Sequence, residues 1–144
     1  DILLSECGAN VFFTAQRAVV SCCPTLIIDA FLNLISNAVK FSADGEVTAA
    51  LTFFENQAVI SVRNKSKSMP LPLKASGGLK STVNTARLHG GRLLFSNSGA
   101  FFSAHFAFVS GARREKRFEA PPFTEYLENK FSPVHVGLCD CFCE

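Results

Sequence analysis

The sequence predicts an α+β fold, a two-layer sandwich in which a mixed, mostly antiparallel sheet is covered on one face by helices. Two segments have the 3.6-residue spacing of amphipathic helices. Two pairs of β-rich segments are joined by short polar turns, as in β-hairpins. In the last β-rich segment, phenylalanine and alanine alternate with other residues at Phe102, Ala104, Phe106 and Phe108. Such alternation suits a sheet with one buried face, and segregated hairpins and helices suit a two-layer sandwich.

The first helix is predicted over residues 25–41, directly after Pro24. Proline suits a first helical turn because its missing N–H would be unpaired there in any case. An apolar stripe at helical spacing comprises Ile27, Ala30, Phe31, Leu34, Ile35 and Ala38. The opposite side carries a polar stripe of Asp29, Asn33, Asn37 and Lys40. A second helix is predicted over residues 79–88, with His89-Gly90-Gly91 ending it, since glycine commonly follows a helix.

The remaining segments are predicted as strands and turns. Strands rich in Val, Ile, Phe and Thr are expected at residues 11–22, 46–54, 58–64, 92–97 and 100–109. Turns or loops are expected at residues 43–45, 55–57, 65–75 and 98–99. Residues 1–110 are therefore predicted to form one domain, and residues 111–144 a C-terminal extension of unknown role, with a short helix at 123–131 and a short strand at 132–138.

Composition excludes several classes of protein. A chain of 144 residues with 48% hydrophobic and 18% charged residues is typical of one globular domain. The net charge of +2 is too small to indicate a nucleic-acid partner, which needs a clustered basic face. No apolar run is long enough to cross a bilayer, and no export signal is seen. We therefore expect a cytoplasmic segment without direct membrane contact, whose parent protein can carry a membrane anchor elsewhere.

The six cysteines are expected to be reduced, because disulfide frameworks belong to small secreted chains with poor cores. Three of them, Cys139, Cys141 and Cys143, alternate near the C-terminus. Zinc sites usually have a gap of two to four residues and a distant second pair. A weakly packed terminus is therefore the favoured interpretation, and a metal site is the alternative.

Residues 33–41, Asn-Leu-Ile-Ser-Asn-Ala-Val-Lys-Phe, carry the most informative pattern. Asn33, Asn37 and Lys40 are spaced by four and three residues, so they project from one helical face. An amide oxygen is a hard ligand that suits Mg²⁺, and a lysine one turn further on can neutralise phosphate charge. From spacing alone, the ordinary polar face of an amphipathic helix is the favoured alternative.

This stretch resembles the N-box of sensor histidine kinases, which reads roughly Asn-Leu-x-x-Asn-Ala-x-Lys followed by an aromatic residue. A second similarity lies downstream, where Gly77-Gly78-Leu79, Val83 and residues 88–92 have the spacing of the second glycine box of that family and the helix after it. Residues 100–106 resemble its final strand. The chain thus resembles, over about residues 19–109, the ATP-binding catalytic domain of histidine kinases, in the GHKL superfamily with its Bergerat-type fold.

The resemblance implies that the chain binds ATP and Mg²⁺ and passes the γ-phosphoryl group to a histidine on separate dimerisation helices of the parent kinase, with a response regulator as the later partner. Asn37 would hold Mg²⁺ with support from Asn33, Lys40 would contact phosphate, and Phe41 would lie against adenine. Backbone N–H groups at the start of the second helix would meet the phosphates, where unpaired donors and the helix dipole favour anions. Those groups belong to Ser76, Gly77, Gly78 and Leu79.

The sequence also departs from the family pattern. Asn64 stands where the family has an aspartate that accepts from the adenine amino group, and the glycines that should follow are absent. The lid over residues 65–76 is short, and Ser76 replaces the first glycine of the second box. A subfamily of peptide-sensing kinases shares the asparagine and the short lid. The alternative is therefore a degenerate domain of the same fold that acts by protein–protein contact.

Asn33 distinguishes the chain from related gyrase-like, chaperone and mismatch-repair ATPases, which place a glutamate there to activate water. An amide cannot take a proton, so phosphoryl transfer is favoured over hydrolysis. None of the three histidines has a setting that resembles the phosphoacceptor motif. His89 is expected at a helix end and His105 at an exposed position, and His135 belongs to the extension.

Overall fold

The computed structural model describes residues 8–16, 20–66 and 77–109, in which a five-stranded sheet packs against two helices. The elements are β1 (Asn10–Ala15), α1 (Pro24–Phe41), β2 (Ser42–Phe54), β3 (Gln57–Ser66), α2 (Gly77–Leu88), β4 (Arg92–Ser98) and β5 (Phe101–Val109). The strand order is β1-β2-β3-β5-β4; β1 runs parallel to β2, and every other neighbouring pair is antiparallel. The predicted α+β sandwich with a mixed, mostly antiparallel sheet is confirmed.

The core lies between the helices and one face of the sheet. Alternate residues of β3 and β5 are buried on that face, so the predicted alternation of residues 102–108 is confirmed. The register places Ile60 opposite Phe106 and Asn64 opposite Phe102. The predicted apolar stripe of α1 packs onto this face, with Ala30, Leu34, Ile35 and Ala38 buried. Burial of this apolar surface is the main force that holds the two layers together.

The described helices do not cover the outer face of the sheet. In β3 and β5 this face is formed by the residues that alternate with the buried ones. His105 lies there, half-buried rather than exposed as expected, because its ring joins two neighbouring strands. Its Nδ1 is 2.9 Å from the hydroxyl of Ser61 and its Nε2 is 3.3 Å from the hydroxyl of Ser96. Large apolar side chains on or beside this face are exposed: Phe12, Phe54, Leu94, Phe101 and Val109.

The first strand is shorter than predicted. It ends at Ala15, whereas the sequence predicted a strand over residues 11–22. The reason is Gln16, whose side-chain Oε1 accepts from the N–H of Phe53 at 2.9 Å. That N–H is therefore no longer open to a backbone partner on the β1 side, and the parallel ladder stops at the pair of Ala15 and Leu51. A composition rich in strand-forming residues does not reveal that a side chain ends the strand.

The predicted turn at residues 43–45 is instead an irregularity inside β2. The strand begins at Ser42, which pairs with Ser66, and the register shifts before Val47 resumes the pairing with Asn64. Gly45 lies within this irregular stretch and has a φ of 75°, a conformation that glycine adopts without strain. Lys65 and Ser66, which were predicted as the start of a loop at 65–75, belong to β3.

The second helix begins at Gly77, two residues before the predicted start. His89 lies directly after this helix, as expected, and its ring connects the two helices. Its Nδ1–H donates to the carbonyl of Thr85 at 2.8 Å, and its Nε2 accepts from the N–H of Cys23 at 3.0 Å. The end of α2 is thereby fixed to the start of α1.

None of the described helices is long and apolar enough to cross a membrane. Several predictions concern residues outside the described ranges and stay predictions: the extension at 111–144 with its short helix and strand, Ser76, His135, and the cysteines at 139, 141 and 143. Of the described cysteines, Cys22 and Cys23 are free thiols. Partial burial raises the pKa of the Cys22 thiol, and the neighbouring Cys23 adds to the rise.

Candidate functional site

The two helices meet where Asn33 of α1 touches the first turn of α2. The side-chain Nδ2 of Asn33 lies 3.5 Å from the carbonyl oxygen of Gly78, although the two residues are 45 positions apart in sequence. A Cβ atom at Gly78 would lie 2.9 Å from Oδ1 of Asn33, a distance that real Cβ contacts essentially never show. Glycine therefore permits this close approach. The predicted N-box helix and the predicted glycine box are adjacent in the structure.

The same carbonyl of Gly78 is bound within α2. The hydroxyl of Thr82 donates to it at 2.9 Å, and Thr82 is fully buried. Thr82 and Asn33 thus hold the first turn of α2 from two sides. This bond was not predicted from the sequence. A threonine hydroxyl four residues after a glycine, facing the core, is the signal that indicates it.

Asn37 lies one turn further along α1 and is oriented by a bond to its own helix. Its Nδ2 donates to the backbone carbonyl of Asn33 at 2.8 Å, and the side chain is half-buried. No described residue donates to its Oδ1. A fixed amide oxygen is a suitable hard ligand for Mg²⁺, so the predicted metal residue fits that ion.

Lys40 follows in the last turn of α1 and is exposed. No ion pair involves it within the described ranges, where the salt bridge found is that between Lys65 and Asp44. Its ammonium group is therefore available to an external anion. Asn33, Asn37 and Lys40 follow one another over about two turns of α1, as the spacing predicted.

The N-terminus of α2 supplies backbone donors. Gly77, Gly78 and Leu79 are its first three residues, whose N–H groups have no partner inside the helix. Gly77 is exposed, with open space where a side chain would stand, whereas Leu79 is buried and anchors the turn. No acidic residue lies in this first turn, so the positive end of the helix dipole is not neutralised there.

The opposite end of the site lies where β3 ends beside the C-terminus of α1. Phe41 is the last residue of α1 and is 41% exposed. Ser42 follows it and pairs with Ser66 of β3. Two positions earlier on β3, Asn64 is buried on the helix-facing side, and its Nδ2 donates to the carbonyl of Lys65 at 3.3 Å.

Ser66 contains a buried polar atom that the sequence analysis did not single out. Its hydroxyl is buried and has no hydrogen-bond partner in the part of the chain that the structure describes. Most buried polar atoms in folded proteins are hydrogen-bonded, so an exception needs an explanation. The position of Ser66 two residues after Asn64 on one strand indicates that both side chains lie on the same face, but it does not indicate whether the hydroxyl has a partner.

Comparisons with known proteins agree with this geometry at the level of the fold. No protein-family model matches the sequence, and no curated protein matches it significantly. Solved structures do match. The histidine kinase AdeS of Acinetobacter baumannii superposes with a TM-score of 0.67 at 15% identity, over 76% of this chain and 58% of that chain.

Two further structures are informative. The nucleotide-free catalytic domain of histidine kinase ThkA superposes with a TM-score of 0.66 at 16% identity, over 76% of this chain and 83% of that domain. Full-length ShkA in complex with AMPPNP superposes with a TM-score of 0.63 at 16% identity, over 76% of this chain and 28% of its own length. The chain therefore spans well under two thirds of AdeS and ShkA and most of the isolated ThkA domain. It has the fold of the ATP-binding catalytic domain of sensor histidine kinases.

Proposed function

We propose that this chain is the ATP-binding catalytic domain of a two-component sensor histidine kinase. It binds Mg·ATP and donates the γ-phosphoryl group to a histidine on the separate dimerisation helices of the parent kinase, which then serves a response regulator. The contact of Asn33 with Gly78 carries this proposal, because it places the face of α1 that carries Asn33 and Asn37 beside the N-terminus of α2. ShkA, which has the same fold, was solved with AMPPNP, an analogue of ATP. A cytoplasmic location follows from the proposal, since ATP and the regulator are found there.

Each residue of the site has a defined task in this proposal. Mg²⁺, when bound, would supply positive charge that offsets the charge of the phosphates. Asn37 would hold that ion through its Oδ1, and Lys40 would offset the remaining phosphate charge. The first N–H groups of α2 orient the phosphate oxygens, as helix N-termini do for anions. Positioning and charge neutralisation are most of what phosphoryl transfer requires of a protein.

The amide of Asn33 favours transfer over hydrolysis. Its Nδ2 donates toward Gly78, and neither atom of a carboxamide takes a proton at neutral pH. The site therefore has no general base at this position to activate water. The phosphoryl group is accordingly expected to pass to a nucleophile that another domain brings to the site.

A second candidate is a degenerate domain that no longer binds nucleotide and acts by protein–protein contact. Two observations favour it. Asn64 is uncharged where a carboxylate would bind adenine more strongly, and the outer face of the sheet exposes large apolar side chains such as Phe54 and Leu94.

Thermal unfolding with nucleotide separates the two candidates. We expect Mg·ATP to raise the melting temperature, because a ligand at a hundred times its dissociation constant adds about 2.7 kcal/mol to the free energy of unfolding. For a domain of this size that corresponds to a shift of roughly 8 °C. Adenosine at the same concentration is the control for the part of the shift due to the base. No shift with millimolar Mg·ATP would reject the catalytic proposal in favour of the degenerate domain.

A further inference from the structure

The end of β3 beside α1 contains two buried polar side chains with unused hydrogen-bonding capacity. The hydroxyl of Ser66 is buried without a partner in the described part of the chain. Asn64 is 3% exposed and makes one long bond, from Nδ2 to the carbonyl of Lys65 at 3.3 Å. No described residue donates to its Oδ1. Buried polar groups are normally satisfied, so both side chains indicate a missing polar partner.

The neighbouring groups do not supply that partner. The hydroxyl of Ser42, across the strand pair from Ser66, is directed to Oδ1 of Asp44 at 3.1 Å and to the carbonyl of Glu46 at 3.3 Å. Asp44 in turn accepts from the N–H of Glu46 at 3.2 Å and pairs with Lys65 at 3.8 Å. The bond from the N–H of Glu46 lowers the pKa of the Asp44 carboxyl, and Ser42 and Lys65 lower it further by smaller amounts. The carboxylate is thus already paired on the β2 side.

The two side chains that remain, those of Asn64 and Ser66, are neutral and have both donors and acceptors. A carboxamide carries an oxygen that accepts and an N–H₂ group that donates, and a hydroxyl does both. A carboxylate, by contrast, only accepts. The difference matters because the two purines present opposite patterns. Adenine offers an amino donor beside a ring acceptor, whereas guanine offers a carbonyl acceptor beside a ring N–H.

An aspartate at this position would therefore accept from adenine and repel the guanine carbonyl, which is how a binding site rejects a wrong ligand. Asn64 can pair with either purine by a half-turn of its amide, and the bond that resists this turn is the long one to Lys65. The hydroxyl of Ser66 rotates to suit either pattern. Phe41, adjacent to Ser42, is partly exposed, and an aromatic ring can stack on either base.

We propose that this site binds purine nucleoside triphosphates of both kinds, accepting guanine at Asn64 and Ser66 about as well as adenine. The inference rests on the proposed function, because the phosphates must first be held between α1 and α2. It goes further by assigning base recognition to two neutral side chains that do not discriminate between the purines.

Competition between Mg·ATP and Mg·GTP for the full chain tests this proposal. We expect the two dissociation constants of the unaltered protein to lie within about tenfold of each other, because Asn64 and Ser66 are both neutral. Asn64→Asp should raise ATP affinity by up to about tenfold, since bonds to a charged acceptor are stronger, and should weaken GTP. Ser66→Ala should weaken both nucleotides by about fivefold, the equivalent of one neutral hydrogen bond.

The control is Ser61→Ala, which alters a half-buried serine on the outer face and should change neither affinity. Melting temperatures show that each variant is folded. A preference of the unaltered protein for ATP above tenfold would overturn the inference, even if Asn64→Asp failed to fold. An unchanged ratio in a folded Asn64→Asp variant would overturn it as well. Failure of both nucleotides to bind the unaltered protein would instead reject the proposed function on which the inference rests.

Discussion

Replacement of Gly91 by alanine is expected to destabilise this domain by about 3 kcal/mol or more, because the added methyl group would overlap the backbone of β5. A Cβ atom at Gly91 would lie 1.8 Å from the carbonyl oxygen of Ala107 and 2.7 Å from the α-carbon of Phe108. These are backbone atoms of a strand that is paired on both sides, with Ala107 opposite Val59 and Arg92. The strand cannot retreat without breaking part of the ladder, so the helix-to-strand connection must deform.

Gly77→Ala is the matched control for this prediction. Nothing lies within 4 Å of a Cβ atom at Gly77, and the residue is helical. Alanine there should leave stability unchanged or raise it by about 0.4–1 kcal/mol, by restricting the unfolded chain. Urea unfolding of both variants gives the comparison. Equal urea midpoints for Gly91→Ala and Gly77→Ala would contradict the close packing of Gly91 against β5.

The second large effect is expected from Asn37→Ala, which should reduce the affinity for ATP by about a hundredfold when Mg²⁺ is present. The variant loses the Oδ1 atom that we propose holds the ion, together with one bond to its own helix. Alanine favours helix, so the fold should be retained. Titration with ATP in the presence of Mg²⁺ and again with a chelator measures the metal-dependent part alone.

Asn84→Ala provides the control for Asn37→Ala, because Asn84 is an exposed asparagine of α2. Its removal should not affect ATP binding under either condition. The assignment of Asn37 as the metal ligand would be contradicted by an equal loss with Mg²⁺ and with the chelator. It would be contradicted equally by a loss of the same size in Asn84→Ala.

Local periodicity explains why much of the fold could be predicted from the sequence. The spacing of Ala30, Leu34 and Ala38 is a property of one helix, and the alternation in β5 is a property of one strand. Each pattern reflects the burial of one face, which does not depend on the rest of the chain. The predicted helices and strands therefore differ from the observed ones mainly at their ends.

The deviations come from contacts between distant residues. The side chain of Gln16 ends β1 by binding Phe53, 37 positions away, and no local pattern encodes that bond. The start of β2 pairs Ser42 with Ser66 across an irregular register, where turn residues at 43–45 suggested a break. A turn composition and a strand irregularity use the same residue types, so the sequence alone does not separate them.

The candidate site, like the fold, could be predicted from the sequence only where its residues follow a local pattern. Asn33, Asn37 and Lys40 are predictable as one helical face, and only the resemblance to histidine kinases assigned them to the same site as Gly78. The contact of Asn33 with Gly78 itself was not predicted. The free hydroxyl of Ser66 was not predicted, because an unsatisfied group is recognised only when its surroundings are known. The ligand roles of all these residues remain predictions.

Amide chemical shifts of the isotope-labelled chain test most directly whether Mg·ATP binds where α1 meets the N-terminus of α2. We expect the largest changes on addition of Mg·ATP at Gly77, Gly78 and Asn37, because the phosphates and the ion lie against these groups. Ser61 and Ser103, on the outer face of the sheet, should not change. Changes confined to the outer face, or none with millimolar Mg·ATP, would contradict a nucleotide site between the two helices.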